Sequence, residues 1–167
     1  MAEEMFDVVD EFDRVVEQLP RSVVHARGLL HRAVSIFVFN TQGELLVHLR
    51  SRQKDEFASC WTSSASGHVS AGESYDEAAP RELAEEVGLR SPLEFLVKLP
   101  GGKQTANEFT VLYRTVTDDP PTFDPAEIET GEFVGLDELT RRVQQQPELY
   151  TPPFRELLRW YISNHEC

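Results

Sequence analysis

The chain reads as an α/β fold. Two apolar strand candidates joined by a short polar turn come first, and one strongly marked amphipathic helix follows. Further strands and then helices complete the order. At 167 residues and 40% hydrophobic content, the chain is long and apolar enough to fill one core. No internal repeat or Gly/Ser-rich linker divides it, so residues 1–167 are expected to form a single domain.

Taken in order, residues 33–40 and 44–50 are strand candidates, and Asn40-Thr41-Gln42-Gly43 between them reads as a hairpin turn. Ser74 with Glu77 three residues on forms a capping box, which predicts a helix over 75–87. Pro80 inside that helix removes a backbone donor and predicts a kink or a late start. Gly88 falls where a helix end favours a left-handed residue. Residues 93–99 and 107–117 read as strands separated by a flexible Pro100-Gly101-Gly102 turn. A Pro-rich loop spans 118–125, a short strand is expected at 132–134, and helices at 136–144 and 153–163.

Composition narrows the partners. The longest apolar run, residues 33–39, is far short of a membrane span, and the acidic N-terminus resembles no signal peptide. Cys60 and Cys167 are too few and too scattered for a disulfide framework or a zinc site, which points to a reducing cytoplasm. A net charge of −13 argues against nucleic acid or an anionic membrane as partner. A homodimer is compatible with this reading.

The chemistry concentrates in Gly67–Leu89, GHVSAGESYDEAAPRELAEEVGL. On the predicted helix, Glu82, Glu85 and Glu86 stand at i, i+3 and i+4, so three carboxylates share one face. Ala79, Leu83 and Val87 repeat every four residues on another face suited to a sheet. Crowded carboxylates repel one another unless a cation sits among them, and Mg²⁺ combines carboxylates with waters and substrate phosphates. A solvated acidic face is the usual fate of such a run taken alone. The glycines and Glu73 at set distances favour the metal reading. Gly67, lacking a Cβ, allows backbone and metal to approach closely.

This segment resembles the Nudix box, with Gly67, Glu73, Arg81, Glu82, Leu83, Glu85, Glu86, Gly88 and Leu89 at all nine fixed positions. The resemblance implies an α/β/α sandwich with a mixed β-sheet and an enzyme that cleaves diphosphates linked to another group. It also implies that Gly67 offers a carbonyl to the metal, Mg²⁺ or Mn²⁺, and that Glu73 pairs with Arg81 to brace the loop against the helix.

A second resemblance covers GLLHRAVSIFVFN (Gly28–Asn40), Arg50, Lys54 and WTSSASGHV (Trp61–Val69). These segments are similar to type I isopentenyl-diphosphate isomerases, which share the fold but shift a double bond. Those enzymes imply a catalytic cysteine where this chain has Ser66. They also imply a separate metal site of three histidines and two glutamates. Here His25, His31, His68 and Glu108 match, His25 by a loose alignment, while Ala106 stands at the other glutamate position. A serine hydroxyl is far harder to ionise than a thiol, and Ala106 removes a ligand. A group of bacterial Nudix hydrolases shares the HRAV and GHV segments along nearly the whole chain.

The expected activity is therefore Mg²⁺-dependent hydrolysis of a small diphosphate, a nucleoside diphosphate linked to X or a related organic diphosphate. Glu82, Glu85, Glu86 and Gly67 hold metal, while Glu85, Glu86 and Glu108 serve catalysis. Arg50, Lys54 and His68 bind substrate. The alternatives are an isomerase and a non-catalytic Nudix sensor; an intact carboxylate set counts against the sensor. Among downstream carboxylates, Glu108, Glu127 and Glu129 all compete as general base. Trp61 and Phe57 are candidates for base stacking or for core, and His25 reads as a loop residue.

Overall fold

A computed structural model describes residues 2–165; Cys167 lies outside them. The chain opens with an antiparallel hairpin of β1 (Met5–Val9) and β2 (Val15–Pro20), followed by the short helix α1 (Arg21–Arg27). Neither hairpin nor helix was expected from the acidic N-terminal composition. The hairpin forms because the Asp10 side chain accepts from the backbone N–H groups of Phe12 and Arg14 and so closes its turn.

The main sheet contains β3 (His31–Phe39), β4 (Glu44–Arg50), β5 (Trp61–Thr62), β6 (Ala65–His68), β7 (Glu94–Leu99), β8 (Glu108–Val116) and β9 (Ile128–Gly135). It is mixed: β3 runs parallel to β8 along its whole length, whereas β6, β7 and β9 pair antiparallel with their neighbours. The β9 strand is longer than the three residues expected, because it pairs with all of β4. Residues 100–107 also differ from a plain flexible turn, since Lys103–Thr105 form a 3-10 turn whose Thr105 hydroxyl bonds the Gly102 backbone.

Helix α2 (Tyr75–Val87) covers one face of the sheet; α3 (Leu136–Gln145) and α4 (Pro152–Asn164) cover the other. This is the expected α/β/α sandwich. The alternation of β3 explains the layering: Val34, Ile36 and Val38 meet Ala79, Leu83 and Val87, whereas Phe37 and Phe39 meet Phe154, Leu157 and Tyr161. The capping box at Ser74 and Glu77 is formed, and Gly88 ends α2 with φ of 66°. A late start at Pro80 is not seen. The cap sets the beginning at Tyr75, and Pro80 is exposed, so the carbonyl it leaves without a donor can be met by water.

The opening for a site arises where β3 and β4 part. They pair only at Phe39 and Leu45, and farther along β3 takes β6 as its neighbour. Ser64 bridges the split: its hydroxyl donates to the Leu46 carbonyl at 2.6 Å and accepts from the Val38 N–H at 2.8 Å.

Candidate active site and metal centre

The carboxylate face of α2 lies against β6. Glu86 is buried and accepts from the Ser66 N–H at 2.7 Å. The Glu82 carboxyl packs so closely on Gly67 that a Cβ there would stand 2.1 Å from the Glu82 Cδ. Glu85 is the solvent-facing member, with 59% of its side chain exposed. Arg81 donates twice to Glu73, at 2.8 Å each, and reaches Glu82 at 2.7 Å, Glu85 at 3.2 Å and the His68 carbonyl at 3.2 Å. The brace between Glu73 and Arg81 is therefore present, and it ties the loop to the strand as well as to the helix.

Burial pushes the Glu82 carboxyl up to about 7, with Arg81 opposing the rise. Burial pushes Glu86 up further, to about 8, reinforced by the nearby Glu82 charge. Such carboxylates are short of positive charge, and a hard divalent cation supplies it. With the Gly67 backbone left accessible beside them, the donor set is all oxygen and suits such an ion.

A second cluster lies beside the first. His25, His31 and His68 place ligand nitrogens within 4.8 Å of one another. Among the described residues the buried Nε2 atoms of His25 and His31 have no hydrogen-bond partner, whereas that of His68 faces Glu108. His31 and His68 approach the same Glu108 oxygen at 3.7 Å and 2.9 Å. Burial would raise the Glu108 carboxyl, but the two imidazoles outweigh it and hold it at about 2. Burial lowers the His25 pKa, with Glu56 opposing through a 3.1 Å contact. Orphaned imidazole nitrogens converging beside a carboxylate have the composition of a divalent-metal site. His25 is no loop residue; it occupies the last turn of α1, and the N-terminal hairpin puts it there. Phe6, fully buried on β1, backs all three rings, stacking on His31 at 5.5 Å and tilting against His68 at 4.7 Å.

The carboxylate face, with His68 and Glu108 of the second cluster, lines one cavity of about 460 Å³, together with Arg50, Lys54, Ser66, Ala106, Glu127 and Phe57. Arg50 uses Nε and Nη2 to hold the Glu56 carbonyl at 3.1 and 2.8 Å, so part of its guanidinium shapes the loop. Lys54 pairs with Glu127. Glu129 is exposed on β9 and is not part of the cavity wall. Trp61 packs into the core on the α3/α4 side, whereas Phe57 stands on the cavity wall. Sequence reasoning missed Glu56 and Phe6, whose roles depend on the unexpected hairpin and α1; the β-branched pairs Val8-Val9 and Val15-Val16 on either side of an acidic turn were the available signal.

The chain belongs to the Nudix family: residues 29–161 match the NUDIX domain. It is 33% identical over 153 residues to an isopentenyl-diphosphate Delta-isomerase of Pectobacterium atrosepticum, covering 89% of this chain and 86% of that one. An uncharacterised Nudix hydrolase of Pseudomonas aeruginosa is 32% identical over 165 residues, covering 96% and 94%. Among solved structures, a hypothetical Nudix protein from Deinococcus radiodurans matches with a TM-score of 0.85 and 31% identity, over 94% of this chain and 98% of that one.

Proposed function

We propose that this chain is a Mg²⁺- or Mn²⁺-dependent Nudix hydrolase that cleaves a diphosphate linkage in a nucleoside diphosphate linked to X or in a related organic diphosphate. The observation that carries this reading is the pair of half-buried Glu82, packed on the bare backbone of Gly67, and buried Glu86, held by the Ser66 N–H, both with raised pKa values at the wall of the cavity. A divalent cation bound there would neutralise phosphoryl oxygens and activate water for attack on phosphorus. Glu82, Glu86 and the Gly67 carbonyl would hold it, and Glu85, open to solvent, would take up the water's proton and release it to bulk water. Arg50, Lys54 and His68 orient the diphosphate, and Glu108, paired with His68, lines the same cavity. Substrates are small molecules, and the expected setting is a single domain in the cytoplasm.

The test is a screen of nucleotide sugars, dinucleotides and other organic diphosphates with Mg²⁺, repeated with chelator. Cleavage should stop on chelation, and Glu86→Gln should lower kcat by several orders of magnitude, because an amide is a poor ligand for a hard cation. Solvent ¹⁸O should enter a phosphate product, not the carbon of X. Normal turnover by Glu82→Gln, Glu85→Gln and Glu86→Gln alike would sink this reading.

One observation favours an isomerase as the second reading: the three histidines and Glu108 are brought together. Against it, Ser66 stands at the position of the catalytic cysteine, and Ala106 supplies no carboxylate. Incubation with isopentenyl diphosphate in deuterated water decides between them. Deuterium in an allylic product, lost in Glu108→Gln, would establish the isomerase.

A further inference from the structure

Helix α1 carries Arg21 and His25 at i and i+4, so both project from one face. That face meets the loop after β4. Arg21 donates to the Asp55 carboxylate at 3.0 and 3.2 Å, and the His25 Nδ1 lies 3.1 Å from the Glu56 Oε1. The loop is sharply folded, with φ of 51° at Phe57 and 60° at Ser59. Its ends are tied by the Arg50 N–H on the Cys60 carbonyl and the Ser59 N–H on the Arg50 carbonyl. The main-chain carbonyl of Glu56 accepts from Arg50 Nε at 3.1 Å and Nη2 at 2.8 Å. One residue thus meets an imidazole of the histidine cluster with its side chain and a guanidinium of the cavity with its backbone.

With 35% of the Glu56 side chain exposed, its contact with His25 taken alone would contribute little. Two observations give it another meaning. The first is the far side of the ring: the His25 Nε2 is buried and has no partner among the described residues. A carboxylate on Nδ1 holds the tautomer that leaves Nε2 with its lone pair. His31 is arranged in the same way, with its Nδ1 2.8 Å from the Leu29 carbonyl, which can only accept. An outer acceptor on one ring nitrogen and an open second nitrogen are what a metal-bound imidazole needs. The second observation is Arg50, which lines the cavity. Fixing its Nε edge on the Glu56 carbonyl sets where its remaining N–H groups stand.

We propose that Glu56 is a positioning residue that links a divalent cation at the histidine cluster to diphosphate binding in the cavity. Its carboxylate orients His25 toward the cation, and its carbonyl sets Arg50 for the diphosphate. Whichever ligand binds first holds the loop in the competent geometry, which raises the apparent affinity of the second. Linkage makes the effect reciprocal. The inference rests on the reading of Arg50 as a diphosphate ligand and does not depend on which bond is broken.

The experiment titrates Co²⁺ into the full chain in saturating Mg²⁺, which occupies the oxygen ligands of α2 and leaves imidazole to the softer ion. Proton NMR of the Co²⁺ form should show strongly shifted ring N–H resonances, one of which, the His25 Nδ1–H, is lost to solvent exchange in Glu56→Ala. The same variant should weaken Co²⁺ binding about ten- to hundredfold, and Glu56→Gln, which still accepts from Nδ1–H, should fall between. Methylenediphosphonate, an uncleavable diphosphate, should bind the wild type at least about fivefold more tightly once the cluster is filled, and less than about twofold more tightly in Glu56→Ala. Asp55→Ala removes the neighbouring ion pair and should leave both quantities unchanged. An equal loss there would make Glu56 a mere tether for the loop and overturn the proposal. So would unaltered Co²⁺ affinity in Glu56→Ala, no gain in diphosphonate affinity on filling the cluster, or no imidazole-bound Co²⁺ at all. Arg50→Ala should lower diphosphonate affinity and keep the shifted resonances; unaltered diphosphonate affinity would overturn the link through Arg50. A full link between Co²⁺ and diphosphonate, with no diphosphate cleaved in Mg²⁺, would sustain the role of Glu56 and remove the hydrolase reading.

Discussion

A methyl group at residue 67 would stand 2.1 Å from the Glu82 carboxyl carbon and 2.4 Å from both of its oxygens. Something must move, and the carboxylate is the softer partner because the residue-67 backbone is fixed in the β3–β6 ladder. Gly67→Ala is therefore expected to rotate Glu82 away from the backbone carbonyl beside it. Overpacking of this kind costs about 1–3 kcal/mol of stability, and the Mg²⁺ concentration for half-maximal activity should rise at least about tenfold. A metal titration of activity beside a urea melt separates the two effects; an unchanged metal requirement would mean that Glu82 is no ligand. At this scale the sequence was highly legible. Gly67, Glu73, Arg81 and the glutamates lie within one loop and one helix, where spacing along the chain is almost spacing in the molecule. Glu56 was not legible, because its meaning comes from neighbours on other elements.

The N-terminal hairpin is the element whose purpose is least visible in the sequence. Its Asp13, with φ of 62°, is held by Arg32 at 2.7 Å and by Tyr75 and Lys98 at 2.8 Å each, which fastens the turn to β3, α2 and β7. Burial opposes ionisation of Asp13, but hydrogen bonds from Lys98, Arg32 and Tyr75 keep its pKa below the usual carboxylate range. So anchored, β1 presents Phe6 to the three histidines. Phe6→Ala should cost about 3–5 kcal/mol as a buried aromatic truncation. It should also weaken Mn²⁺ binding at the histidine cluster while sparing the Mg²⁺ requirement of the carboxylate face. Chemical denaturation and Mn²⁺ titration by electron paramagnetic resonance read the two outcomes; intact Mn²⁺ affinity would show that the rings hold their positions without this backing. The split between β3 and β4 makes a parallel case. Ser64→Ala leaves the buried Val38 N–H without its acceptor, and should cost about 1–3 kcal/mol. Strands β3, β4, β7 and β8 and helices α2 to α4 were legible from apolar patterning. The two-residue β5 and the β6 segment were not, since Ser63, Ser64 and Ser66 carry no strand periodicity and are held by pairing partners distant in sequence.

For the whole molecule, the cavity sets an unusual balance between charge and stability. In the metal-free protein Glu82 and Glu86 have pKa values raised to about 7 and about 8, against 4.5 for an ordinary glutamate. A group raised in the folded state contributes stability that is fully present below its unfolded pKa and is lost as pH rises through the folded value. These two carboxylates therefore erode the metal-free fold between about pH 5 and pH 8. Glu108 has the opposite sign. Held at about 2, it contributes stability above pH 4.5 that is lost only as pH falls toward 2. His48, buried and depressed to about 4 by desolvation, likewise contributes above 6.5 and loses its contribution as pH falls through 4. Because His48 and the glutamates oppose each other between about pH 4.5 and 6.5, the wild-type curve alone is a poor test, and a difference curve isolates the carboxylates. Without metal, Glu86→Gln should gain in Tm relative to wild type as pH rises from 5 to 9, since the amide never ionises. In saturating Mg²⁺ the ordering should invert at the alkaline end, because the cation binds the ionised wild-type site and stabilises the folded state by mass action. The increment in Tm given by Mg²⁺ should itself grow with pH through 7 to 8, as protons no longer compete for the ligands. A Tm difference between the two proteins that stays flat from pH 5 to 9, with and without Mg²⁺, would show that residue 86 neither titrates in this range nor binds metal.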